Sequence, residues 1–128
     1  MDTQPTYTNR NYRRGADAER RAMKEFLHPR QSSPDLFHLG WYAAMRSAGS
    51  HGLWDINLLG PHAVLYVQVK RVDNPFRARR LLVREARRIA RRRKTVPPGV
   101  LRAVLVWTPS RGWLGAVKPS NEEPIVFF

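Results

Sequence analysis

Residues 54–71, WDINLLGPHAVLYVQVKR, restrict the fold more than any other stretch of the chain. Two apolar runs rich in branched side chains flank a Gly-Pro-His turn, which is the pattern of a β-hairpin. A turn centred between Pro61 and His62 sets Leu59 opposite Val64 and Asp55 opposite Gln68, and the two-residue period places Lys70 on the face of Gln68. The open end of an apolar hairpin is thus predicted to gather a carboxylate, an amide oxygen and an ammonium. One reading is structural: Asp55 caps a strand end while Gln68 and Lys70 face solvent. The other is chemical. Mg²⁺ takes oxygen ligands and sits on one or two carboxylates plus substrate phosphate. An adjacent Lys70 would then orient or deprotonate the attacking water, or stabilise charge on the phosphorus oxygens.

Further strands are expected at 40–46 and 100–107, with 112–118 as an edge strand. Helices are expected at 15–28 and from 75 to about 94. Asp73 or Asn74 would cap the second helix, with Pro75 at its first position, and "TVPPG" would end it. The order helix, three strands, helix, strand makes an α/β fold, a mixed central sheet flanked by helices. A length of 128 residues suits one domain. That domain is placed at 13–128, behind a polar, aperiodic arm at 1–12. Without cysteine, neither disulfides nor a thiolate zinc site can hold it together. No apolar run approaches the roughly 20 residues that cross a bilayer. The polar start lacks the apolar core of a signal peptide. A cytoplasmic protein is expected, nucleoid-associated or in the host cytoplasm if virus-encoded.

The formal net charge is +13, which favours a polyanionic partner. Nucleic acid ranks ahead of a membrane surface, because the basic segments lack the apolar face of an interfacial helix. On the second helix, Ala78, Leu82, Ala86 and Ile89 form a narrow apolar stripe. Opposite lie Arg77, Arg80, Arg84, Arg87, Arg88 and Arg91, with Glu85 the only acid among them. A solvated face ordinarily mixes signs so that neighbours attract, whereas this one repels itself, a cost best explained if phosphates neutralise it in use; the other reading is a face that only keeps the protein soluble. Arg13 and Arg14 before the first helix, and Arg92, Arg93 and Lys94 after the stripe, extend the track.

The first helix carries a carboxylate on its apolar side. At 100° per residue, Phe26 lies about 20° from Glu19 on one side and Met23 about 40° on the other. Arg21, Lys24 and Glu25 fall on the solvent side. A carboxylate facing inward needs a partner. Either Arg46 or Arg20 pairs with it, or it joins Asp55 around a metal ion. His51, His28, His38 and His62 read as solvated histidines.

Taken in order, "RRGADAERR" (13–21), "RSAGSHG" (46–52), Asp55 and "QVK" (68–70) resemble the motifs of archaeal-type Holliday junction resolvases, within the PD-(D/E)XK nuclease superfamily. The resemblance covers roughly residues 13–72. It implies that Glu19 and Asp55 hold the metal, that Gln68 stands where the family has glutamate, and that Lys70 is the catalytic lysine. It also implies that Arg20, Arg46 and Ser50 serve cleavage or contact DNA. The implied metal set is Glu19, Asp55, Gln68 and the Val69 carbonyl. The implied protein is a homodimer that cuts four-way junctions by paired symmetric nicks with Mg²⁺, or with Mn²⁺ in its place. Glutamine at 68 keeps a carbonyl oxygen and removes a negative charge, which weakens metal affinity. Two other functions fit these residues: a nuclease of the superfamily cutting flaps or linear duplex, and a basic protein that binds junctions without cutting them. For the dimer interface, the candidates are the strand at 113–117 and the tail "PIVFF"; the tail's other use is to cover the monomer's own core.

Overall fold

A computed structural model describes residues 6–47, 54–92 and 96–128. The elements are α1 (Thr6–Leu27), β1 (Ala43–Arg46), β2 (Ile56–Leu59), β3 (Val64–Arg71), α2 (Pro75–Ala90), β4 (Leu101–Thr108), β5 (Gly112–Lys118) and β6 (Val126–Phe127), with a 3₁₀ turn at Asp35–His38. The six strands form one sheet in chain order. Its neighbours run antiparallel except β3 and β4, which are parallel. A parallel pair needs a crossover, and α2 supplies it. The result is an α/β fold on a mixed sheet, as the patterning predicts.

Alternate residues along each strand point to opposite faces, so β4 and β5 each feed two cores, whereas β3 gives its buried apolar residues to one. Leu65, Val67, Val69, Ala103 and Leu105 pack with Ala18, Ala22 and Phe26 of α1. Val104, Val106 and Ala116 pack with Ala78, Leu82, Ala86 and Ile89 of α2. Aromatic rings close the α1 side: Phe26 packs against Phe37 at 4.4 Å with the rings tilted by 39°, and meets Trp41 edge-on at 6.1 Å. The alanines of α1 let its backbone come close to β3. They also set the helix's rotation. The inner stripe runs through Ala18, Ala22 and Phe26, leaving Glu19 at its border and placing Glu25 within it.

The hairpin register is the expected one: Leu59 opposite Val64, Leu58 opposite Leu65, Asn57 opposite Tyr66 and Ile56 opposite Val67. Four boundaries differ from expectation. Helix α1 begins at Thr6, so part of the segment read as an arm is helical; once packed turns exist, each added residue gains a hydrogen bond without a new nucleation cost. Strand β1 is shorter because Gly40 has φ 82° and Trp41 turns inward, its indole N–H donating to the Leu36 carbonyl at 2.8 Å. Helix α2 stops at Ala90, with Arg91 as C-cap.

The fourth difference concerns the tail. β5 is not an edge, because β6 pairs with it and Phe128 exchanges backbone bonds with Gly115 at 2.9 and 3.1 Å. The tail therefore covers this chain's own sheet, and Trp113, offered as an interface residue, is buried. A Cβ at Gly115 would overlap the Phe128 ring. Gly115→Ala is expected to expel that ring and cost about 1–3 kcal/mol, seen as a lower urea midpoint with unchanged slope.

Candidate active site

The site begins with a slip in strand pairing. Continuing the hairpin register would set Asp55 against Gln68, yet the Asp55 N–H donates to the Val67 carbonyl at 2.8 Å. A one-residue irregularity of this kind re-aims a side chain. Here the Asp55 carboxylate turns toward the next turn of β3, where Oδ2 accepts the Val69 N–H at 2.8 Å. From the other side, the Ser47 N–H donates to the Asp55 carbonyl at 2.9 Å. Asp55 is thus fixed by both neighbouring strands.

A cleft of about 670 Å³ opens between α1, the end of β3 and the start of α2, and Glu19, Asp55, Val69 and Lys70 all line it. Burial pushes the Asp55 carboxyl above the ordinary aspartate range; the Val69 N–H offsets part of this, and the charge of Glu19 pushes it up again. Lys70 and Arg46 pull it down. The two acids therefore sit close enough to repel each other, which is the arrangement a shared cation relieves. Glu19 is already partly satisfied: Arg46 Nε donates to its Oε1 at 2.9 Å, and its side chain is 16% exposed. The Arg46 ion pair expected as one alternative is thus formed, and it coexists with the approach to Asp55.

The other candidate residues divide. Gln68 does not line the cleft; it is buried on the α2 side of the sheet, and its Oε1 has no hydrogen-bond partner. Arg20 is exposed, pairs with Asp17 at 3.3 Å and is off the cleft wall. Ser50, His51, Arg93 and Lys94 lie outside the described residues. Arg13 is exposed and Arg14 lines the cleft. Among the described residues, no three His, Cys, Asp or Glu side chains are grouped to hold a metal. The side-chain carboxylates that line the cleft near its centre are those of Glu19 and Asp55, with Asp73 at the rim.

Two acids lie elsewhere than the helical wheel places them. Glu25 is buried rather than solvent-facing: the chain after α1 folds back so that Arg30 donates to it at 3.1 and 3.2 Å and Ser33 Oγ also donates. Burial raises its pKa, but these bonds outweigh it and hold the carboxyl below the usual glutamate range. Glu85 is buried at the inner side of α2, three residues after Leu82, with Arg88 at 3.5 Å and Arg84 at 3.8 Å. The charged side chains on the outer face of α2 are in consequence all basic.

Asp73, read from the sequence only as a candidate helix cap, has a different place in the structure. Asn74, not Asp73, caps α2, its Oδ1 accepting from the N–H groups of Phe76 and Arg77. Asp73 instead bridges Arg14 and Arg71, each at 3.3 Å, on the cleft rim. Its place between the last residue of β3 and a proline-started helix was the available signal.

Beyond the cleft the basic track is continuous. Arg77 belongs to the cleft and also to a groove with Arg80 and Arg84. Arg80 and Arg84 in turn share a further groove with Arg87, Arg88 and Arg91. All six are exposed. No helix among the described residues is long and apolar enough to cross a membrane.

No protein-family model matches the sequence, and no curated protein matches it. Among solved structures, the chain is similar to Archaeoglobus fulgidus Hjc, a Holliday junction resolvase from an archaeal hyperthermophile, with 20% identity, a TM-score of 0.45, and coverage of 89% of this chain and 81% of that one.

Proposed function

We propose that the chain is a PD-(D/E)XK-type endonuclease that resolves four-way DNA junctions by paired symmetric nicks, as a homodimer using Mg²⁺, or Mn²⁺ in its place. One observation carries this reading: Glu19, Asp55 and Lys70, from three separate segments, line one cleft that continues into the arginine grooves of α2. The donors suit a hard divalent cation. Arg46 takes one oxygen of Glu19 and Val69 takes one of Asp55, which leaves Glu19 Oε2 and Asp55 Oδ1. Gln68, buried on the α2 side with a partnerless Oε1, enters this set only if its side chain turns to the cleft. The Val69 carbonyl completes the set of protein oxygens.

Such a cation, when bound, polarises the scissile phosphate and acidifies a bound water. The protein's own groups do the rest. Lys70 orients the water in line with the leaving 3′ oxygen and stabilises charge on the phosphorus oxygens. Arg46 holds the Glu19 carboxylate in place. Arg14 and Arg77 seat phosphates beside the cleft, and the α2 arginines hold a DNA arm through contacts that carry no base specificity. Ser50 and Arg20 belong to the same proposal as DNA contacts. A four-way junction has approximate two-fold symmetry, so a symmetric dimer offers one cleft to each of two strands. The setting is the cytoplasm, with branched DNA as partner.

A second reading, a junction-binding protein that does not cut, is favoured by the Glu19–Arg46 pair and by Gln68 lying off the cleft wall. Labelled four-way, flap and linear DNA, incubated with the protein with and without Mg²⁺, decides between them. Paired symmetric nicks in the junction alone, dependent on metal, are expected. Binding without product supports the second reading, and equal cutting of flaps or linear duplex supports a different nuclease. Gln68→Glu is expected to lower the Mg²⁺ concentration needed for cleavage.

A further inference from the structure

We infer that Phe76 is a stacking platform for a nucleobase that loses a stacking neighbour at the branch point, and thereby sets preference for branched over linear DNA; the inference rests on the nuclease reading above. Phe76 is 78% exposed, more than any other large apolar side chain among the described residues. A single exposed phenylalanine needs no explanation by itself. Its setting supplies one.

Its support is stiff. Pro75 fixes φ at the first helical position, and the Asn74 cap holds the N–H groups of Phe76 and Arg77 at 2.9 and 3.3 Å. The ring also borders a groove of about 480 Å³ whose apolar lining is Pro75, Phe76 and Leu114 and whose charged lining is Arg79, Arg80 and Arg111. The groove is continuous with the DNA track, since Arg80 belongs to both and the neighbouring Arg77 lines the cleft. Apolar surface beside three guanidinium groups, with no acid in the lining, repels a second copy of a chain carrying +13. It attracts a ligand that is anionic along its backbone and flat and apolar on its faces.

A nucleic acid strand has that chemistry wherever a base face is free. Inside continuous duplex both faces of every base are stacked, whereas at a branch a base loses a neighbour. Stacking on an aromatic ring is tolerant of sequence, and the arginines add phosphate and cation–π attraction. The ring therefore has an occupant only where the helix is interrupted, close to the cleft that cuts.

The test is equilibrium binding of the full chain in EDTA to a four-way junction carrying 2-aminopurine at the branch, and to a linear duplex carrying it internally. Phe76→Ala is expected to weaken junction binding by roughly 5- to 100-fold and to remove the change in 2-aminopurine fluorescence. Affinity for linear duplex should change less than about twofold, and Phe76→Trp should restore both signals. An exposed side chain can be truncated without unfolding the protein, which a urea titration of the variant checks. The inference is overturned by equal loss on both DNAs, by a fluorescence change that survives Phe76→Ala, or by unaltered DNA binding with lost binding to phosphatidylserine vesicles. Because no metal is present, this result is independent of cleavage. Failure of the wild-type protein to cut any branched DNA in Mg²⁺ overturns the nuclease reading instead.

Discussion

Asp55→Asn is expected to lower metal-dependent junction cleavage by well over about 10²-fold, the cost typical of losing a mere outer-shell partner of a metal site. It should also make the metal-free protein more stable at neutral pH. The stability gain follows from the sign of the titration. The folded state holds the Asp55 proton to a higher pH than the unfolded chain does. Protons bound in excess by the native state stabilise it at low pH, and that contribution is lost as pH rises from the ordinary aspartate range through the raised folded value. Above that window the ionised carboxylate, buried and repelled by Glu19, opposes folding. Asparagine has no charge to bury, and its amide oxygen can still accept the Val69 N–H. Urea midpoints should therefore rise for Asp55→Asn above the window and converge with the wild type below it. Added Mg²⁺ should stabilise the wild type alone.

Replacing Arg80, Arg84, Arg87 and Arg88 together by glutamine is the second large effect. Each phosphate contact contributes about −0.9 to the slope of log affinity against log salt, so four lost contacts should flatten the slope by about 3–4. Affinity for the junction at low salt should fall by a factor on the order of 10² or more, and almost equally for linear duplex. That uniform loss separates these residues from Phe76. Arg80, Arg84 and Arg88 follow one another at intervals of four on one helix face, where like charges repel by about 0.2–0.5 kcal/mol per pair. Relief of that repulsion is outweighed in the variant by the loss of Arg84 and Arg88 as partners of the buried Glu85, so its urea midpoint should fall. A loss confined to the junction, or an unchanged salt slope, would mean that the arginines do not contact phosphate.

The hairpin was legible in the sequence because its turn and its alternation agree on one register, and any slip would have turned Ile56 and Leu58 out of the core. The crossover helix was equally plain, with proline at its start and a four-residue apolar stripe. What lay hidden depends on contacts between distant segments. Nothing local marks Gly115 as the seat of Phe128, so the tail's role emerged only from packing. Glu25 is on the solvent side of a wheel centred on Glu19, Met23 and Phe26; weighting the alanines rotates the wheel and takes Glu25 inside, where Arg30 and Ser33 receive it. The site was half visible. Spacing gathered Asp55 and Lys70 at the open end of the hairpin and left Glu19 either in an ion pair or beside Asp55, where only the family resemblance set it; the slipped pairing at Asp55 and the burial of Gln68 are properties of the folded sheet. Asp73 was legible only as a candidate cap, because its partner Arg14 comes from a segment distant in sequence.

The central claim is that Glu19 and Asp55 hold one divalent cation between them. Mn²⁺ binding to the DNA-free protein, followed by electron paramagnetic resonance, tests it without reference to cleavage. The wild type is expected to take up Mn²⁺ in competition with Mg²⁺, and Glu19→Gln and Asp55→Asn should each abolish that uptake while urea titrations show both variants folded. Mn²⁺ bound equally well by either variant, or not bound by the wild type, would contradict the claim.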